Sequence, residues 1–150
     1  AARLSPEEPK IQASIAYTYL QQEDYEKALQ YYMEVEKMMP DKPSVKRPVA
    51  FCAFVQGKLD MANSYYEELL QQEDNRFDLM NMGHVMWCKG RLQDALRYYK
   101  QSINQKDNNL KKFLAGFEED KKHLISNGVD PHSIPLIIDH MRYQLLENER

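Results

Sequence analysis

The chain has 150 residues, enough for one domain, and at that length folding removes roughly 68–70% of the unfolded surface from water. Hydrophobic residues make up 43% and charged residues 29%, the balance of a water-soluble globular chain, while 5 Gly and 7 Pro are too few for a turn-rich β-sandwich. A net charge of -3 leaves no basic excess to neutralise phosphates, which argues against a nucleic-acid partner.

No apolar run approaches the roughly 18–20 residues of a membrane helix, so no membrane insertion is expected. The opening Ala1-Ala2-Arg3 has no signal-peptide character, and the missing initiator Met suggests a processed chain or a piece of a longer one. Cys52 and Cys88 lie inside predicted helices and are expected as free thiols, leaving cytoplasm and periplasm both open.

Taken in order, Ser5-Pro6-Glu7-Glu8 is a helix-start signal, with Ser5 as cap, Pro6 at the first position and Glu8 closing a capping box. The first helix spans about 9–22, with Ile11, Ile15, Ala16, Tyr19 and Leu20 at three- and four-residue intervals. Gln21–Asp24 make a turn, and Asp24 caps a second helix carrying Ala28, Leu29, Tyr32, Val35 and Met39 on one side. Pro40 and Pro43 are expected to end it.

The pattern then repeats. Ala28, Ala62 and Ala95 are spaced by 34 and 33 residues, and Tyr32, Tyr66 and Tyr99 follow them by four. In the preceding helix Ala16, Ala50 and Gly83 hold one register, each after an apolar residue (Ile15, Val49, Met82). Gly57 and Gly90 occupy the intra-repeat turn, where Glu23 stands in the first copy. The one-residue deletion falls between units, where loops tolerate it.

These residues resemble the tetratricopeptide repeat, a 34-residue helix–turn–helix unit with small residues at the helix contact and aromatics between units. The resemblance implies an all-α fold: an α-solenoid of tandem repeats at about 9–42, 43–75 and 76–108, winding as a right-handed superhelix of about eight helices. One domain over 1–150 is expected. The second and third copies depart from the pattern by ending at Asp74 and Asp107 instead of proline, and Pro48 sits early in its helix.

Beyond the repeats, Asn108 or Asn109 caps a helix to about 127 with Leu110, Phe113, Leu114, Phe117, Leu124 and Ile125 as its stripe. Its charge run, Glu118 to Lys122, is expected as a solvated face with Glu118 paired to Lys122. A last helix over about 131–148 carries Ile134, Ile137, Ile138, Met141 and Leu145, widened by Leu136 and Tyr143. Repeat arrays need atypical ends, so the first of these two helices is expected as a cap. The IPLIIDHMRYQL run looks like the end of a longer bacterial repeat protein.

Each first helix also carries a second stripe: Ala13, Tyr17 and Leu20, then Arg47, Phe51 and Phe54, then Met80, His84 and Trp87. The resemblance implies that these nine residues line a concave groove, with Tyr17, Phe51 and His84 stacked across it. An apolar patch of that size marks an interaction site. The expected function is a non-catalytic scaffold binding a segment of a partner protein. One alternative is a chain-terminal domain whose groove holds its own last helix, with self-association through outer faces. Another is a small chaperone for a secreted protein.

The Lys, Asn and Arg clamp of family members that grip chaperone C-termini is not formed, since Ala13, Tyr17, Pro48, Phe77 and Asn81 stand at the matching places. Lys10, Lys46 and Arg47 are expected as solvated cations. His84 and Cys88 have metal-ligand spacing but lack further ligands, His132 and His140 lack a facing carboxylate, and no phosphate loop or nucleophile motif occurs. No cofactor, metal or catalysis is expected.

Overall fold

A computed structural model describes residues 7–148, with side chains through residue 145. The described residues form eight helices and no strand: α1 (Glu8–Gln21), α2 (Tyr25–Met38), α3 (Pro43–Val55), α4 (Leu59–Gln72), α5 (Arg76–Cys88), α6 (Leu92–Ile103), α7 (Leu110–Ser126) and α8 (Ser133–Asn148). The expected tandem all-α, helix–turn–helix architecture is what forms.

Helix starts follow side-chain chemistry. Asp24, Asn75 and Asn109 each accept from backbone N–H groups of the first turn, at 3.2, 2.8 and 2.8 Å for the nearest bond. Ser5 and Pro6 lie outside the described residues; Glu7 occupies the N-cap of α1, with Pro9 in the first turn. Pro43 does not end α2 but opens α3, where its missing N–H needs no partner.

Helix stops extend the turn regularity to a fourth position. After α1, α3, α5 and α7 the same six-residue closing bond forms: Asp24 N to Tyr19 O, Lys58 N to Ala53 O, Arg91 N to Met86 O and Val129 N to Leu124 O. The residue inside each closure is left-handed: Glu23 (φ 59°), Gly57 (78°), Gly90 (80°) and Gly128 (102°). Thus α7 and α8 are a fourth helix pair. At 17 residues α7 is longer than α5, which has 13, and that added turn breaks the 33–34 register.

The chain divides into two compact units, Ala1–Leu69 and Leu70–Arg150, with α4 crossing the boundary. In the first unit Ala16, Ala28, Val49 and Cys52 are fully buried with Leu29 and Tyr32, flanked by Tyr19, Leu20, Tyr25 and Tyr31. Tyr19 and Tyr31 stack at 5.4 Å. Lys46 is not the solvated cation expected. It is buried on α3, donating to Glu68 at 2.8 Å and lying 5.3 Å from the Tyr65 ring centre, while Tyr65 donates to Glu36 at 2.8 Å. Hydrogen bonding to Glu68 raises the Lys46 pKa.

In the second unit α5 and α6 form a hairpin whose contact depends on Gly83. A Cβ there would stand 2.5 Å from Tyr99 Cδ1 and 3.1 Å from Cζ. Helix α7 seats on both helices through Phe113 and Phe117, whose rings lie 5.4 and 5.7 Å from Tyr99. Helix α8 returns antiparallel to α7: Ile134 and Ile138 face Ile125 at one end, and Leu145 nears Leu110 at the other. Ile134 and Met141 are buried, while Leu136 and Tyr143 remain exposed.

Candidate functional site

The nine second-stripe residues divide between two environments. In the first unit Ala13, Leu20, Arg47 and Phe51 are half-buried, Tyr17 is 55% exposed and Phe54 is fully buried. The Phe51 ring meets Tyr25 at 6.3 Å and Phe54 at 6.4 Å. In the second unit Met80, His84 and Trp87 are core residues and not open surface.

Helix α7 covers those three. The Phe117 ring lies 5.4 Å from His84 and 6.3 Å from Trp87, and Gly116 permits α7 to approach the Met80 methyl. His84 Nδ1 lies 2.7 Å from the Tyr99 hydroxyl and Nε2 lies 3.1 Å from Asp120 Oδ2. With Nδ1 accepting the Tyr99 O–H, Nε2–H donates to the carboxylate, so every member is satisfied. Burial, aided by the nearby Cys88 and Asp120, holds the Tyr99 phenol well above its usual pKa and keeps it a donor. Both imidazole nitrogens are engaged, and among the described residues no three His, Cys, Asp or Glu side chains converge as metal ligands.

Asp120 therefore leaves the solvated charge run to which its sequence context assigned it, while Glu118 pairs with Lys121 at 3.1 Å. A signal was available. Phe113, Phe117, Asp120 and Leu124 follow helical spacing, which puts the carboxylate on the apolar stripe.

The open part of the stripe belongs to the first unit. There α1 and α3 flank a cleft of ≈ 640 Å³, with Ala13, Tyr17, Val45 and Pro48 on its walls and Tyr32 and Val35 of α2, with its C-cap Met39, along its floor. Lys10 and Lys42 also line it. Sequence reasoning placed Tyr32 and Val35 in the helix-pair core and missed this second role. The clue was a hydroxyl on an otherwise apolar stripe.

Comparison with known proteins agrees with this architecture. Residues 9–42 match the family model of the tetratricopeptide repeat. The first helix pair is a tetratricopeptide repeat. Among solved structures, the chain is similar to the Yersinia enterocolitica type III secretion translocator chaperone SycD, crystallised as an alternative dimer. They share 16% identity over 95% of this chain and 98% of that one, with a TM-score of 0.62. It is also similar to Pseudomonas aeruginosa PilF, at 19% identity over 95% of this chain and 67% of that one, with a TM-score of 0.55. At such identities the likeness establishes the helical-repeat fold alone. No curated protein matches the sequence significantly. Among the described residues no helix is long and apolar enough to cross a membrane.

Proposed function

We propose that this tetratricopeptide-repeat chain is a non-catalytic interaction module that takes a segment of a partner protein in the α1–α3 cleft. The observation supporting this reading is Tyr17, 55% exposed beside a ≈ 640 Å³ cleft with an apolar floor. Sites of about 300–1,000 Å³ with a few polar groups are typical of ligand recognition. The site is narrower than the nine-residue groove, since Met80, His84 and Trp87 are already used by α7.

The test is affinity capture with wild type, Tyr17→Asp and a control, Leu136→Asp, on the exposed face of α8. A partner retained by the control and lost by Tyr17→Asp supports the cleft. Equal recovery by all three folded proteins refutes it. Light scattering on the same samples shows whether the captured partner is a second copy of this chain.

A second reading, a chaperone for a secreted protein, draws on the likeness to SycD, which spans nearly all of both chains. Under it, co-expression keeps the captured partner soluble and loss of the cleft sends that partner to the pellet. A partner equally soluble with Tyr17→Asp removes the reading.

A further inference from the structure

Helix α8 buries Ile134 and Met141, and helical spacing puts Leu136, His140 and Tyr143 together on its opposite, exposed side as i, i+4 and i+7. Leu136 is 68% exposed and Tyr143 63%, the highest values for large hydrophobic side chains among the described residues. Apolar residues scattered singly over a surface are ordinary. Two of them, two turns apart on one stripe, have the spacing by which one helix grips another.

One edge of that stripe is charged. Asp139 and Arg142 stand three residues apart along it and lie 3.9 Å from each other, with side chains 73% and 55% exposed. An exposed pair at that distance holds neither charge firmly. The same edge borders a furrow of ≈ 460 Å³ between α7 and α8, where the half-exposed Ile125 adds apolar surface.

An acid and a base on one edge of a helix match the same edge of an identical helix when that helix runs the other way. Turned end for end, α8 presents a base where it had an acid and an acid where it had a base. We infer that this face binds a second copy of the chain, with the two α8 helices antiparallel about a two-fold axis near His140. Asp139 then meets the partner's Arg142, Arg142 meets the partner's Asp139, and Leu136 lies beside the partner's Tyr143. Such reciprocal contacts are what an isologous interface requires. A parallel pair would hold like charges at the same level, which opposes association.

The apolar stripe supplies the attraction and the charged edge sets direction and register, since exposed ion pairs contribute little affinity. One helix pair is expected to cover less than the roughly 1,200–2,000 Å² of a stable dimer, so the dimer is reversible and depends on concentration. This surface belongs to the second unit, and the inference does not rest on the α1–α3 cleft of the first.

Sedimentation equilibrium of the whole chain from about 10 µM to about 1 mM tests it, that span covering the dissociation constants of weak pairs. Wild type is expected to pass from monomer to dimer. Leu136→Asp and Tyr143→Asp, both at exposed positions and checked for wild-type melting curves, should each stay monomeric throughout. Asp139→Arg and Arg142→Asp should each weaken the dimer about fivefold, because the two-fold axis doubles every charge conflict. The exchange Asp139→Arg/Arg142→Asp should restore it. A monomeric wild type at the highest concentration overturns the inference, as does a dimer that survives Leu136→Asp and Tyr143→Asp. Single charge reversals without effect, or an exchange that fails to rescue them, overturn the antiparallel arrangement. Dissociation by Tyr17→Asp would put the second copy in the cleft and overturn the assignment to α8.

Discussion

Replacing Gly83 by alanine is expected to destabilise this protein, although glycine inside a helix ordinarily costs about 1 kcal/mol relative to alanine. The added Cβ would stand 2.5 Å from Tyr99 Cδ1 and 3.1 Å from Cζ. The ring cannot step aside. Tyr99 is fully buried, hemmed by Phe113 at 5.4 Å, Phe117 at 5.7 Å and Trp87 at 6.4 Å, and its hydroxyl is held at 2.7 Å by His84. Overpacking of this kind costs about 1–3 kcal/mol, and a displaced hydroxyl forfeits a hydrogen bond worth about 1 kcal/mol. Set against the helix-propensity gain, the net loss is about 2 kcal/mol, or about 4–8 °C in Tm for a chain of this length. Gly116→Ala is the paired comparison. Its Cβ would meet only the Met80 methyl at 3.3 Å, the far end of a flexible side chain, so propensity wins and stability is unchanged or rises. Urea unfolding of the two variants decides the matter. A Gly83→Ala protein as stable as wild type would refute the tight-contact reasoning.

Other outcomes follow from the same structure. Glu23→Gly should stabilise by up to ~1 kcal/mol, because Glu23 holds φ 59° in the turn where Gly57 and Gly90 stand, and side chains resist that conformation; a lower urea midpoint than wild type would count against it. Asp120→Ala should cost about 1–3 kcal/mol by leaving the buried His84 Nε2–H without an acceptor, while Asp120→Asn keeps an acceptor and costs less; equal losses from the two would remove the hydrogen-bond explanation. Burial raises the Cys52 thiol from 9.0 to about 12 and the Cys88 thiol to about 11. The unfolded chain therefore releases these protons first, so their contribution is intact below pH 9 and is lost as pH climbs, by up to about 1.4 kcal/mol per pH unit for each thiol. Unfolding measured at pH 8, 9 and 10 should show that slope, and Cys52→Ala should flatten it between pH 9 and 10; an identical slope in the variant would exclude Cys52 as its source.

Much of the fold was legible because its information is local. Asp24 and Asn109 announced helix starts, and the triplets Ala28, Ala62, Ala95 and Tyr32, Tyr66, Tyr99 announced a repeated unit with one geometry. The left-handed turn was legible as well: two glycines mark it, and Glu23 adopts the same conformation against its own preference. The fourth helix pair escaped because α7 is longer than the earlier first helices, and a register argument fails once spacing changes. The last turn of α7 nevertheless closes with the same backbone bond as its predecessors.

The candidate site was half legible. Its stripe could be projected from helical spacing: Ala13 and Tyr17 line the α1–α3 cleft, whereas Phe51 packs against Tyr25 and Phe54. What that face meets could not be read in the same way. His84 finds Asp120 36 residues along the chain, and Lys46 finds Glu68 22 residues along. Each pairing converts an apparent surface charge into a buried, satisfied one, and neither partner is implied by its neighbours in sequence.

By itself, then, the sequence determined the helices, their caps, their repeat and the presence of two apolar faces on each first helix, since all of these depend on contacts within about one turn. Only the tertiary structure decided which faces stay open. Phe113 and Phe117 of α7 close the face carrying Met80, His84 and Trp87, whereas Tyr17 and the α1–α3 cleft remain accessible. Burial is a property of whatever packs against a surface, and that is settled by chain segments far apart in sequence.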